Sequence, residues 1–344
     1  MTDGPPDEHE DVPPRGGLLA VHAHPDDETL SNGALLATWA GAGLPTTVVT
    51  CTRGEQGEVI PPALRHLEGD GPALAAHREG ELAVALAALG VTDHVFLDAV
   101  HPSDVAHRRR FVDSGMAWAA AGRATTADDV AADAFARVDL DDAAARLAAV
   151  LRDRRPAVVV GYEPGGGYGH PDHVRAHEVL HRAVDLAAAP ALAGEEVGGR
   201  PEAGRDVGGW DVPVVLWTVV PEGPWRAGLA QLRAGGAAED AGLTVAQDAE
   251  RPSAVVPGPV DLVVDVAPVL DQVLAALAAH ATQVHALGRE PAPASGGRAA
   301  VARYALSNDV LQPLLAQEAY VLARGRVADV GWPDGVAPPA TPVA

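Results

Sequence analysis

Lysine is absent from this sequence of 344 residues: all 25 basic residues are arginines. Chemistry that needs a lysine amine is therefore excluded, including Schiff bases with pyridoxal phosphate and the phosphate-gripping lysine of a P-loop. Cysteine occurs once, at Cys51, which rules out an internal disulfide and a four-cysteine zinc site. No uninterrupted apolar run approaches the roughly eighteen residues of a membrane-spanning helix. Residues 1–15 are acidic and proline-rich, with neither the basic nor the apolar region of a secretory signal. Basic residues are outnumbered by 47 acidic ones, for a net charge of −22, which repels phosphate backbones. A cytoplasmic chain that binds neither membrane nor nucleic acid is expected. The Gly-x-Ser-x-Gly elbow of serine hydrolases is missing, and glycines 165–169 lack dinucleotide-fingerprint spacing.

What is present is an alternation of short apolar runs with helix-period stretches, the pattern of a parallel sheet flanked by helices. Strands are expected at residues 18–23, 46–52, 95–97, 157–162, 212–220 and 260–266, with a last one at 319–323. Helices are expected at about 30–41, at 73–89 stopped by Gly90, at 140–154, at 172–189 and at 269–287. The fold class is α/β, a Rossmann-like, mostly parallel sheet whose C-terminal strands and helix complete one body. Residues 1–16 read as a disordered acidic tail, 17–330 as the domain, about 190–211 as an exposed connection, and 331–344 as a flexible tail. Residues 115–142, rich in Ala and Asp, receive no assignment.

Two short motifs carry the chemistry. His24-Pro25-Asp26-Asp27-Glu28 follows the first strand, and His170-Pro171-Asp172-His173 follows the strand ending at Tyr162 and a glycine-rich turn. In an open α/β sheet, loops at the carboxyl ends of parallel strands converge on one crevice. Hydrolytic zinc commonly takes three His or carboxylate ligands and leaves a position for water. His24, Asp27 and His173 supply such a His2Asp set. That leaves Asp26 to take a proton from water, His170 to carry positive charge and stabilise an oxyanion, and Asp172 to orient His170 by accepting its hydrogen bond. Iron(II) suits the same ligands. Pro25 and Pro171 also read as ordinary helix starters. His177 and His181 are spaced like a helical zinc pair, but no Glu follows His173, so the HExxH pattern fails. His22 reads as a buried, hydrogen-bonded strand residue and Cys51 as a small buried apolar one. His101, His107 and their arginine neighbours read as a solvated charge run.

Residues 18–33 and 161–177, with these two motifs, resemble the LmbE-like (PIG-L) zinc-dependent N-deacetylases. Further points of likeness are the run Thr50–Ile60, the Arg78-Glu79-Gly80-Glu81-Leu82 helix and the Arg110–Met116 loop. The resemblance covers about residues 17–185 well and the rest weakly. It implies one zinc per chain on His24, Asp27 and His173, with Asp26 as general base and His170 and Tyr168 polarising the acetyl carbonyl. It also implies Arg78 and Asp113 as contacts to sugar and inositol hydroxyls, with Glu58 near the site entrance. The implied partner is a small N-acetylated aminosugar-inositol, and the oligomeric state is left open. Three alternatives remain at this point: a sister amidase that cleaves thiol S-conjugates, another N-acetylsugar deacetylase of the same family, and a metal-containing sugar-binding protein without turnover.

Overall fold

The computed structural model describes residues 16–100, 110–120, 123–125, 131–190, 208–236, 238, 242–247, 251–292 and 299–340, with backbone only at 117–120 and 123–125. The acidic stretch 1–15, the segment 191–207 and the histidines at 101 and 107 lie outside the described residues.

Five parallel strands form the centre of the molecule, in the spatial order β3 (Asp93–Phe96), β2 (Thr46–Thr50), β1 (Leu18–His22), β6 (Val158–Tyr162) and β7 (Val214–Pro221). Beyond β7 the sheet continues antiparallel through β14 (Gln317–Arg324), β10 (Leu262–Asp265) and β15 (Val336–Ala337), and β9 (Val255–Val256) pairs with the end of β7. A two-stranded ribbon, β4 (Ala117–Ala120) and β5 (Arg123–Thr125), stands apart. A second sheet has the order β11 (His285–Arg289), β12 (Ala300–Ala305), β13 (Val310–Leu315) and β8 (Thr244–Val245).

The parallel strands are apolar on both faces, and their side chains alternate between two cores. Leu18, Ala20, Val48, Val158 and Val160 pack with α1 (Asp27–Gly41), α2 (Gly71–Leu89) and α6 (Leu270–Ala279). Leu19, Val21, Val49 and Val159 pack with α3 (Leu140–Arg154) and α4 (Pro171–Ala188). Each fully buried Leu or Val contributes about 1.5–3 kcal/mol, so the two-sided burial fixes the strand register. The remaining helix, α5 (Glu222–Gly235), lies over the second sheet, with Gly228 in close approach to Pro313. Local signals set the ends: Asp70 caps α2 by accepting from the Ala73 N–H, and Gly90 ends it at φ 79°. Among the described residues no helix is long and apolar enough to cross a membrane.

Three expectations differ from the structure. The predicted helix at 269–287 ends at Ala279; 285–289 is instead strand β11, paired with β12. The chain turns there because Glu81 draws in the Thr282 N–H and hydroxyl, so tertiary contacts override helical periodicity. Residues 331–340 are not a loose tail: Val336 is buried in β15, and Trp332 packs edge-on to Trp39 at 5.8 Å. The connection expected to run to 211 is anchored from Trp210, whose indole donates to the Pro156 carbonyl at 2.9 Å.

Strand order reverses between β1 and β6. At such a switch point the two neighbouring loops leave in opposite directions and open a crevice at the carboxyl ends of the strands. The loop after β1 carries His24 to Glu28, and the loop after β6 carries the glycine turn and His170.

Candidate metal centre and active site

Both motifs meet in that crevice. His24 Nδ1 lies 3.3 Å from Asp27 Oδ2, His173 Nε2 lies 3.3 Å from the same oxygen, and the two ring nitrogens are 3.3 Å apart. A four-coordinate metal held by N and O ligands at about 2.0–2.2 Å separates those ligands by about 3.3 Å. The triangle therefore fits a divalent ion without rearrangement. Two further metal-capable groups, His24–His170–His173 and His24–Asp113–Asp172, share the same histidine. In the second, His24 Nε2 is 3.5 Å from Asp113 and 3.2 Å from Asp172.

The outer nitrogens settle which ring atoms are free to ligate. His173 Nδ1 faces the Gly166 carbonyl at 3.2 Å, so it carries the proton and leaves Nε2 bare. His24 Nε2 faces the Asp172 carboxylate at 3.2 Å, which leaves Nδ1 bare toward Asp27 and His173. Asp27 Oδ2 also accepts from the His24 N–H at 2.9 Å. With no ion bound, burial works against charge on His24, but Asp113, Asp172 and Asp27 hold its pKa well above the ordinary value. Burial works against charge on Asp27 as well; His173 and His24 outweigh it and hold the carboxyl well below the ordinary range. The buried acids thus create a strong demand for positive charge at the triangle.

Asp26 sits beside this triangle as the N-cap residue of α1, with φ 115°. Burial raises its pKa to about 6, with Asp27 adding to the rise and Arg78, 3.4 Å away, opposing it. That value suits a proton acceptor working near neutrality. His170 caps α4: its Nδ1 accepts from the Asp172 N–H at 3.1 Å, which places the ring proton on Nε2. Burial, then His24 and His173, push its pKa well below the ordinary value. His170 is accordingly a neutral donor, not the cation expected from sequence. Tyr168 lies edge-on to His173 at 5.1 Å, and desolvation keeps its phenol protonated. The two donors flank the triangle on the side of the glycine turn.

Asp172 does not orient His170 through its carboxylate. The fully buried carboxylate accepts from the Ser114 N–H at 2.9 Å and from the Ser114 hydroxyl, and it faces His24. Its side chain therefore orients His24, while its backbone orients His170. Arg78 is also turned away from the role expected of it. Only 3% exposed, it donates to the Gly54 and Pro25 carbonyls at 2.8 and 2.5 Å and braces Asp26. Gly54 has to be glycine: its φ is 67°, and a Cβ there would come within 1.9 Å of the guanidinium. Asp113 is buried beside His24 and accepts from the Gln56 and Gly115 N–H groups. Glu58 is exposed, on the loop after β2 whose carbonyl accepts from Gln283.

Other histidines stay outside the centre. His177 Nδ1–H donates to the Tyr162 carbonyl, 2.9 Å away, and His181 accepts from the Trp217 indole at 2.8 Å. His22 is buried as expected, edge-on to Tyr162 at 5.7 Å, and burial drops its pKa to about 4. Cys51 is buried, with its thiol pushed well above the ordinary value, so it is no nucleophile. Sequence reasoning missed Tyr162, which stacks on His173 at 4.4 Å and accepts from the Ala23 N–H at 3.0 Å. It also missed Ser114, and it missed Glu163 with Ser253. Glu163 takes the Gly165 and Gly167 N–H groups and the Ser253 hydroxyl, so the pair fixes the turn carrying Tyr168. Tyr162 and Glu163 were within reach, as the end of a strand and the start of the motif loop it feeds; Ser114 and Ser253 lie too far along the chain to leave a local signal.

Comparison with known proteins gives a consistent result. A family model described as PIG-L, GlcNAc-PI de-N-acetylase, matches residues 19–184. A protein of Kineococcus radiotolerans named 1D-myo-inositol 2-acetamido-2-deoxy-alpha-D-glucopyranoside deacetylase is 47% identical over 312 residues, covering 90% of this chain and 77% of its own. One of the same name from Streptomyces avermitilis is 43% identical over 316 residues, covering 92% and 94%. A deacetylase solved in complex with teicoplanin is 19% identical, with a TM-score of 0.47 over 89% of this chain and 98% of its own.

Proposed function

The chain belongs to the PIG-L family of de-N-acetylases, and from that premise we propose that it hydrolyses the acetamide of 1D-myo-inositol 2-acetamido-2-deoxy-α-D-glucopyranoside, in mycothiol biosynthesis. Water adds to the acetyl carbonyl, the C–N bond breaks, and the products are acetate and the free amine. The enzyme is a soluble, cytoplasmic, metal-dependent amidohydrolase with one zinc per chain. The observation that carries this reading is the triangle of His24, Asp27 and His173 with equal 3.3 Å edges, flanked by an acid near pKa 6 and two neutral donors.

A divalent ion held by those three residues supplies Lewis-acid polarisation of the carbonyl and makes water more acidic. Asp26 takes the proton of the attacking water and, once protonated, returns it to the departing amine nitrogen, so the carboxylate is restored. His170 Nε2–H and the Tyr168 hydroxyl donate to the carbonyl oxygen as charge builds there, each worth about 2.7–4 kcal/mol by analogy with oxyanion-hole donors. Asp113 and Glu58 supply acceptors for sugar and inositol hydroxyls. Arg78 serves that recognition by holding Asp26 and the loop after β2 in place.

The test is a free-amine assay on the acetylated pseudodisaccharide, with zinc-loaded and chelator-treated protein side by side. Amine and acetate released in equal amounts, lost with chelator and restored by zinc, are the expected result. Preference for a bulky thiol conjugate identifies the sister amidase instead, and binding without release identifies a sugar-binding protein.

A further inference from the structure

Asp26 holds a backbone conformation, φ 115° and ψ −34°, that L-residues avoid. Such a conformation persists only where the surroundings over-determine it. The Asp26 side chain does not help, since it makes no capping bond to α1. The support comes from its neighbours. The Asp26 carbonyl accepts from the Thr29 and Leu30 N–H groups at 3.0 and 2.9 Å, and the preceding Pro25 carbonyl accepts from Arg78 at 2.5 Å. The Asp26 N–H donates to Glu28 Oε2 at 2.9 Å.

Glu28 is fully buried, and a carboxylate so placed needs partners. Its Oε1 takes the Thr29 hydroxyl at 2.5 Å and faces His280 Nε2 at 2.8 Å. His280, also fully buried and 252 residues downstream, closes the carboxyl end of α6. Its position is fixed independently of Glu28. The Thr282 N–H and hydroxyl donate to Glu81 of α2 at 2.8 and 2.6 Å, and Gln283 donates to the Glu58 carbonyl at 2.9 Å.

We propose that Glu28 and His280 form a positioning pair for Asp26: the histidine fixes the glutamate, the glutamate fixes the Asp26 N–H, and the locked peptide aims the Asp26 carboxylate at the reacting centre. The inference rests on the deacetylase reading above, with Asp26 as proton acceptor. It gives the C-terminal half a part in the reaction through His280. Because the pair acts through the backbone, its loss falls on turnover more than on substrate binding.

The test replaces the whole pair, Glu28→Met with His280→Leu, so that no unpartnered charge is left buried. The expected result is a kcat about 100-fold lower, with KM within about two-fold and bound metal per chain unchanged. A crystal structure of the variant should show Asp26 relaxed to negative φ. His280→Gln keeps a donor to Glu28 and should recover most of the activity. Adding Asp26→Ala to the double variant should cost far less than Asp26→Ala costs alone, which a merely structural role does not produce. Wild-type kcat in the double variant, or full multiplication of the two losses, overturns the proposal. If the double variant fails to fold, Glu28→Ala is read in its place: it leaves the Asp26 N–H without its acceptor, and an unchanged kcat there overturns the proposal equally. Full activity of Asp26→Ala alone, by contrast, refutes the deacetylase mechanism rather than the pair.

Discussion

His24 works on both sides of its ring. Nδ1 faces Asp27 in the candidate metal triangle, and Nε2 faces Asp172 and Asp113. Partners of this outer kind orient a ligand and raise its basicity, and losing one commonly costs 10- to 100-fold in metal affinity. Asp172→Asn is therefore expected to weaken zinc binding about 10- to 100-fold, measured by competition with a chromogenic chelator, while the fold by circular dichroism stays intact. The motif histidines and acids were legible in the sequence because each motif sits where a strand meets a helix. The partner of Asp172 was not: it is Ser114, 58 residues away, in a stretch without usable periodicity. Proximity in sequence suggested His170 as the recipient of the Asp172 carboxylate, but the cap geometry gives His170 the backbone N–H instead.

Helix α1 is kinked at Asn32, where φ is −139°. Just past the break, Glu318 of β14 accepts from the Ala34 and Leu35 N–H groups at 2.6 and 2.9 Å. The Tyr320 hydroxyl adds a third bond to that carboxylate. Burial raises the Glu318 pKa to about 7 against these three bonds. A raised acid pKa means that the folded chain holds the proton more tightly than the unfolded one. Stability should then fall as pH rises from about 4.5 to about 7 and level off above, a loss on the order of 3 kcal/mol. Denaturant titrations across that window should show the slope, and Glu318→Gln should remove this part of it. Helices with ordinary stops were readable in advance: α3 spans 140–154 as expected, ahead of Pro156. The region after Ala279 was not, since its turn is set by Glu81 from another helix and its strand by a partner, β12, further along the chain.

At the scale of the whole molecule, the site is stitched from loops of β1 and β6, and His280 buttresses it from the C-terminal half. An ion bound across those loops stabilises the folded chain by about 4 kcal/mol at a thousand times its Kd. Zinc should therefore raise Tm by several degrees and a chelator should reverse it, with the shift absent in His24→Ala and His173→Ala; differential scanning fluorimetry reads this directly. The doubly wound order was readable because β1, β6 and β7 are apolar runs buried on both faces, and the antiparallel strands β10 and β14 were expected at 260–266 and 319–323; the second sheet left no pattern of comparable strength. One consequence concerns selection at position 26, where the chain bends as glycine prefers yet carries an aspartate. A mutant library sorted for heat resistance should drift to glycine there, and one sorted for acetate release should keep the acid. At that single bend, endurance and turnover pull the gene in opposite directions.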